Sequence, residues 1–184
     1  MQTTEELLKQ IKRSFRLYMN GVTAASMRQK GLLYKINWGV ALMDLRRIAA
    51  EYGKNKSLAE ALWGETTIRE CRLLATLVMP PEEMNVDSAY GWAQSVQTIE
   101  EMEYAVFNLF QHLTDATQLV QLMLRSDDTL MRIGAYNLVS RLVKRDIVLP
   151  SDFIEEIRSR VNTDCNSENR QLLHALNNME AALM

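Results

Sequence analysis

Residues 98–113 read Thr-Ile-Glu-Glu-Met-Glu-Tyr-Ala-Val-Phe-Asn-Leu-Phe-Gln-His-Leu. Ile99, Met102, Val106, Leu109, Phe110 and Leu113 recur at helical spacing, so one side of a helix is apolar and the other polar. Glu100, Glu101 and Glu103 stand at its start, where the helix dipole favours negative charge over any acid–base role. The same period extends in both directions. Downstream it predicts helices over 114–125, 128–144, 151–161 and 167–183, with Asp127 or Asp128 capping the second and Ser151, after Pro150, capping the third. Upstream it predicts helices over 4–19, 23–29, 40–52, 57–63 and 68–79. Thr3 or Thr4 caps the first, Asn20-Gly21 stops it, Thr66 or Thr67 caps the last, and Pro80-Pro81 ends it. Residues 84–97, with Tyr90, Trp92 and Val96 around Gly91, follow no clear period.

No segment alternates apolar and polar residues, so no sheet is expected. Short connectors between helices of this length favour antiparallel neighbours. The expected fold is all-α, with antiparallel helix pairs in a HEAT-like (ARM-type) right-handed superhelix. It forms a single α-helical repeat domain over residues 1–184, and a compact bundle is the alternative.

The composition agrees: 47% of the residues are hydrophobic and only 3 Pro and 7 Gly interrupt the chain. No apolar run approaches the ~18–20 residues that cross a bilayer, and the charged N-terminus lacks the pattern of a signal peptide. A cytoplasmic monomer without cofactor is expected. Cys71 and Cys165 lie far apart, and His112 and His174 have no companions at ligand spacing, so no metal site is expected. Cys71 reads as a small core residue. No Gly-rich phosphate loop, Gly-x-Ser-x-Gly or His-Glu-x-x-His occurs. The net charge of −2 hides an asymmetry. Residues 1–80 carry 13 Lys and Arg against 7 Asp and Glu, and residues 81–184 carry 8 against 16. A basic half attracts phosphate, although solvated faces account for the same numbers.

Two segments, Trp38-Gly39-Val40-Ala41-Leu42-Met43-Asp44-Leu45-Arg46-Arg47 and Leu62-Trp63-Gly64-Glu65 leading to Arg69-Glu70-Cys71-Arg72-Leu73-Leu74-Ala75, resemble the DNA alkylation repair (AlkD-like) family. In the first, Met43-Asp44 stands where the family often has Pro-Glu. Residues 91–97 resemble the family's Trp-Trp-Asp-Ser-Val-Asp run, and Arg132 lies downstream at a compatible distance. The resemblance covers about residues 25–150. It implies a helical superhelix with a concave basic groove for duplex DNA. It further implies excision of cationic alkylated purines without base flipping, with an aspartate and tryptophans set against the deoxyribose. Glycosidic cleavage builds positive charge on the sugar, and a placed carboxylate opposes it.

The chain departs from that pattern where the chemistry lies. Trp92 matches the first Trp of the run, Ala93 stands for the second, and Gln97 stands for the catalytic Asp. A neutral amide does not stabilise a cation, and losing such a contact costs on the order of a hundredfold. Arg132 matches the family's groove arginine. The family's further Trp has no match in residues 172–179, where the resemblance also implies a shorter C-terminal end.

Each candidate has a plainer reading. Trp92 stacks on a nucleotide or fills the core. Arg132 meets phosphate or pairs with Asp128. Gln97 caps or binds backbone. Arg46 and Arg47, with Lys35, Lys54 and Lys56, form a phosphate-facing stripe or a solvated surface. Arg69 and Arg72 make local ion pairs with Glu65 and Glu70. The expected DNA-binding set is Arg132, Lys35, Arg46, Arg47 and Trp92. The first functional reading is a DNA-binding member of the family lacking the glycosylase Asp and Trp, with duplex DNA as partner. The second is a HEAT-type scaffold for a protein partner. The third is an active glycosylase that uses Asp87 or Glu100 instead.

Overall fold

A computed structural model of the chain describes residues 2–184. Among these residues there are eleven α-helices and three short 3-10 turns, and the β-type pairing is an isolated parallel bridge between Ile36 and Ile68. The expectation of a fold built from helices alone is met. The chain divides into two compact units, Met1–Glu83 and Met84–Met184.

The first unit contains α1 (Thr4–Ser14), α2 (Gly21–Gln29), α3 (Leu42–Tyr52), α4 (Lys56–Trp63) and α5 (Arg69–Val78). Helix α5 is its hub, packed on α3 and α4, while α1 packs on α4. Nearly every side chain of α5 is buried, including Arg69, Glu70 and Arg72. Thr3 forms a full capping box with Glu6 at the start of α1. Asn20 does not stop that helix as expected. It begins α2, where its side chain accepts the Thr23 N–H. Neither Thr66 nor Thr67 caps α5. The Thr67 carbonyl instead accepts the Ile36 N–H at 2.9 Å, and Ile36 in turn accepts the Arg69 N–H at 3.1 Å.

The segment before α3 is irregular, and two of its amides are met by a side chain of α5. Glu70 Oε1 accepts the Trp38 N–H at 3.1 Å, the Val40 N–H at 3.3 Å and Arg69 Nη1 at 3.2 Å. Arg69 Nη1 also donates to the Val40 carbonyl. The Trp38 carbonyl accepts the Asn20 N–H at 2.8 Å. Val40 is therefore core, as its apolar stripe suggested, but it lies outside the helix that the period placed it in. Between these anchors Gly39 has φ +68, and a Cβ there would collide with the Asn20 carbonyl and the Ala24 amide.

The second unit contains α6 (Val86–Gln94), α7 (Ile99–Asn108), α8 (Ala116–Leu124), α9 (Thr129–Val143), α10 (Ser151–Asp164) and α11 (Arg170–Leu183). Helix α9 is its hub and touches α7, α8 and α11 most extensively. It buries residues on every side, as a central helix does. Gly134 lets Met102 of α7 and Met123 of α8 close onto its backbone. Ser151 does not cap α10, since its N-cap is Pro150 without a side-chain bond. Cys71 is buried and Cys165 exposed, both as free thiols. Burial pushes the Cys71 thiol far above its usual range, so it stays protonated and inert.

Gly39→Ala is expected to lower stability by about 2 kcal/mol or more, because it combines a disfavoured φ with a backbone clash. Urea denaturation followed by circular dichroism measures this. An unchanged midpoint would show that the crossing of Gly39 over α2 is not tight.

Candidate nucleic-acid interface

In the second unit the positions that resemble the family's catalytic run fall at the corner between α6 and α7. Asn85 caps α6 by accepting the Ser88 N–H at 2.8 Å. This helix carries Trp92, half-buried, and Ala93, which is packed inside at 2% exposure. Gln97 is exposed and precedes α7. Thr98 Oγ1 accepts the Glu101 N–H at 3.1 Å, and Glu101 Oε2 accepts the Gln97 N–H at 3.0 Å. The acidic start of α7 thus serves its cap, as the dipole argument expected. Position 97 presents an amide side chain and no carboxylate.

Arg132, on the first turns of α9, does not pair with Asp128. Asp128 is occupied as the N-cap and accepts the Leu130 and Met131 amides. Arg132 Nη1 instead meets Asp164 Oδ1 of α10 at 2.7 Å. Asp164 is buried at 2% exposure and also accepts the Tyr136 hydroxyl at 2.8 Å, while Arg160 Nε stands 3.7 Å away. Arg160 Nη2 donates to the Ser126 carbonyl and approaches Asp127 at 3.4 Å, and Arg125 meets Glu156 at 2.8 Å. The turn between α8 and α9 is therefore clamped onto α10. Burial, and then the bond to Asp164, raise the Tyr136 pKa, so its hydroxyl remains a donor. Sequence reasoning missed this cluster because its members lie about thirty residues apart with no local period.

The first unit carries the expected basic residues at its surface. Lys35, Arg46 and Arg47 are exposed. Arg47 lies 3.4 Å from Asp44, one turn away, and over the Tyr18 ring at 5.9 Å. Lys54 and Lys56 are exposed as well, and each finds a local partner. Lys54 Nζ donates to the Leu77 and Met79 carbonyls at the end of α5, and Lys56 Nζ to the Glu83 carbonyl. A lysine answers the unpaired carbonyls and negative dipole of a helix end, and this use outweighs a solvated one. Of the local ion pairs expected around α5, Arg69–Glu70 forms at 3.2 Å. Arg72 lies 3.4 Å from the Trp63 ring centroid and donates to the Trp63 carbonyl, and Glu65 pairs with Lys12. The sequence reading also missed a recess lined by Lys12, Arg13, Arg16, Ile36, Trp38 and Ile68. Its signal was like charges spaced one turn apart at positions 12 and 16. Among the described residues no group of three His, Cys, Asp or Glu gathers as metal ligands would, and no helix is long and apolar enough to cross a membrane.

Replacing Asp164 with Asn would leave Arg132 and Arg160 without their shared counter-charge. A loss of about 3 kcal/mol in unfolding free energy is expected. Chemical denaturation measures it, and a loss below about 1 kcal/mol would reduce the cluster to the weight of a surface pair.

Comparison with known proteins places this geometry. A solved structure described as "a new family of proteins related to the HEAT-like repeat DNA glycosylases with affinity for branched DNA structures" superposes with a TM-score of 0.83 at 17% identity. The match covers 96% of this chain and 75% of the other. The shared fold is thus a HEAT-like repeat. No curated protein matches the sequence. The family model described as DNA alkylation repair enzyme matches residues 11–179, nearly the whole length, and the chain belongs to that family.

Proposed function

We propose that this protein binds DNA and does not excise bases by the carboxylate-assisted route associated with the family. The observation that carries this reading is a division of charge. The cations at Lys35, Arg46 and Arg47 face solvent, whereas the positions that would hold the reacting groups carry a buried Ala93 and a neutral Gln97. The unit with the exposed cations, residues 1–83, has 13 Lys and Arg against 9 Asp and Glu, a net of +4. Exposed cations that neutralise phosphates release counterions, which supplies affinity without base chemistry. The structural neighbour is described as having affinity for branched DNA, and we extend that ligand class to this chain. Trp92 is the aromatic group that we assign to stacking in the second unit. Arg132 serves the fold first through Asp164, and is a secondary phosphate contact. The reading keeps the protein a cytoplasmic monomer that works without a cofactor.

One observation favours the scaffold reading. Residues 84–184 carry 8 Lys and Arg against 14 Asp and Glu, and Asp164 has already engaged Arg132. A basic protein segment would suit that unit better than phosphate would.

Fluorescence anisotropy with a labelled duplex and a four-way junction, at low and physiological salt, separates the two. Binding should weaken steeply with salt, and Lys35→Ala, Arg46→Ala and Arg47→Ala should each lower the log–log salt slope by roughly 1. No binding at low salt would turn the proposal to a protein partner. Release of an alkylated purine by the wild-type chain would overturn the non-excising part. It would point to another carboxylate, with the exposed Asp87 or the half-buried Glu100 first to be tested.

A further inference from the structure

The recess in the first unit is a small site with its own chemistry. Its volume is about 280 Å³, near the lower end of the range for small-molecule sites. Ile36, Ile68 and the half-buried Trp38 supply apolar surface, and Lys12, Arg13 and Arg16 supply three cations. One carboxylate answers them, since Glu65 meets Lys12 at 2.5 Å. Arg13 and Arg16 make no ion pair among the described residues, and Arg16 lies over the Trp38 ring at 5.6 Å.

Folding alone explains part of this arrangement. Lys12 and Arg13 sit in the last turn of α1, where cations suit the helix dipole. That does not extend to Arg16, which lies beyond the helix in the 3-10 turn that follows. Lys12 and Arg16 are like charges at i,i+4, and Arg13 and Arg16 at i,i+3, spacings at which like charges destabilise. An anionic ligand would offset that cost. The apolar side is also preformed. The bridge between Ile36 and Ile68 and the bond from the Trp38 amide to the buried Glu70 fix it before any ligand arrives. Such preorganisation lowers the entropic cost of binding.

We infer that this recess binds a nucleotide, with the phosphate between Arg13 and Arg16 and the base against Trp38 and its isoleucine neighbours. Arginine planes and indoles both accept an unstacked base, and guanidinium groups match phosphate. A free mononucleotide and an unpaired nucleotide at a strand end or branch share this chemistry. The latter is taken as the source, and that choice rests on the DNA-binding reading above. Paired nucleotides inside a duplex do not reach the site, so it would select for ends and branches.

The test uses the full chain and four probes: a labelled blunt duplex, the same duplex with a short 5′-phosphorylated flap, a 5′-hydroxyl version of that flap, and free dAMP as competitor. The wild-type chain should prefer the phosphorylated flap over the blunt duplex by about tenfold or more, the value of one charge-assisted bond. The double variant Arg13→Gln/Arg16→Gln, which alters exposed side chains only, should lose that preference and keep its blunt-duplex affinity. Trp38→Leu, with its folding checked by thermal melting, should weaken both flaps while sparing the blunt duplex. Displacement of the flap by dAMP would extend the site to free nucleotides. No flap preference together with no competition by dAMP would overturn the inference, even if blunt duplex still bound. Equal weakening of every probe by the double variant would also overturn it. If no DNA bound but dAMP perturbed the Trp38 indole resonance, the recess would stand and the DNA reading would fall.

Discussion

A carboxylate with no exposure to solvent, that of Glu70, holds the first unit's irregular segment in place. Extended backbone between helices has amides that no helix satisfies, and an unpaired buried amide costs as much as a lost hydrogen bond. Glu70 Oε1 answers two of them, at Trp38 and Val40, and Arg69 closes the set by bonding both Glu70 and the Val40 carbonyl. A buried ion pair of this kind is weak evidence for stability but strong evidence for geometry, since removing either member leaves an uncompensated charge. The geometry it sets is specific. Gly39 crosses the start of α2 too closely for any side chain, and Trp38 is fixed at the edge of the basic recess. The segment that most resembles the family is therefore structural in origin, with a positioning consequence for one indole.

The second unit uses the same device. Asp164 is buried and is approached by Arg132, Arg160 and Tyr136. The effect on function is opposite. In the first unit the buried pair leaves Lys35, Arg46 and Arg47 facing solvent, whereas in the second it engages the arginine that resembles a groove residue. An arginine already bonded to a buried carboxylate carries little net field toward a phosphate. Arg132 is accordingly a fold residue first, and position 97 presents a neutral amide.

The helices were legible in the sequence because burial follows a period, as at Met102, Val106, Leu109 and Phe110. The ends were less so. Asn20 read as a stop and serves as a start, and Ser151 lost its cap to Pro150, because one polar residue suits either role until tertiary contacts choose. Residues 86–94 hid their helix because its buried positions, Ala89 and Ala93, are small and weakly apolar, while Gly91 lies on the exposed side. For the site, the residue types at 92, 93, 97 and 132 could be read directly, but their partners could not. Asp164, Glu70 and Glu65 reach Arg132, Trp38 and Lys12 from about thirty or more residues away, and no local pattern encodes such pairs. The partners of Lys54 and Lys56 were hidden for the same reason, since the carbonyls they bond belong to the end of α5 and the turn beyond it.

The proposed function rests on the separation of exposed cations in the first unit from the positions in the second that resemble the family's reacting residues. On the proposed reading, exposed cations in one unit and a neutral amide at position 97 in the other suit recognition of DNA without base excision. The most direct measurement is a backbone and side-chain NMR titration of the labelled protein with a short branched DNA. The account predicts that the largest shifts fall in the first unit, at Lys35, Arg46 and Arg47 and in the recess beside Trp38. Shifts confined to Trp92, Gln97 and the start of α7 would contradict it and return the functional centre to the family's catalytic corner.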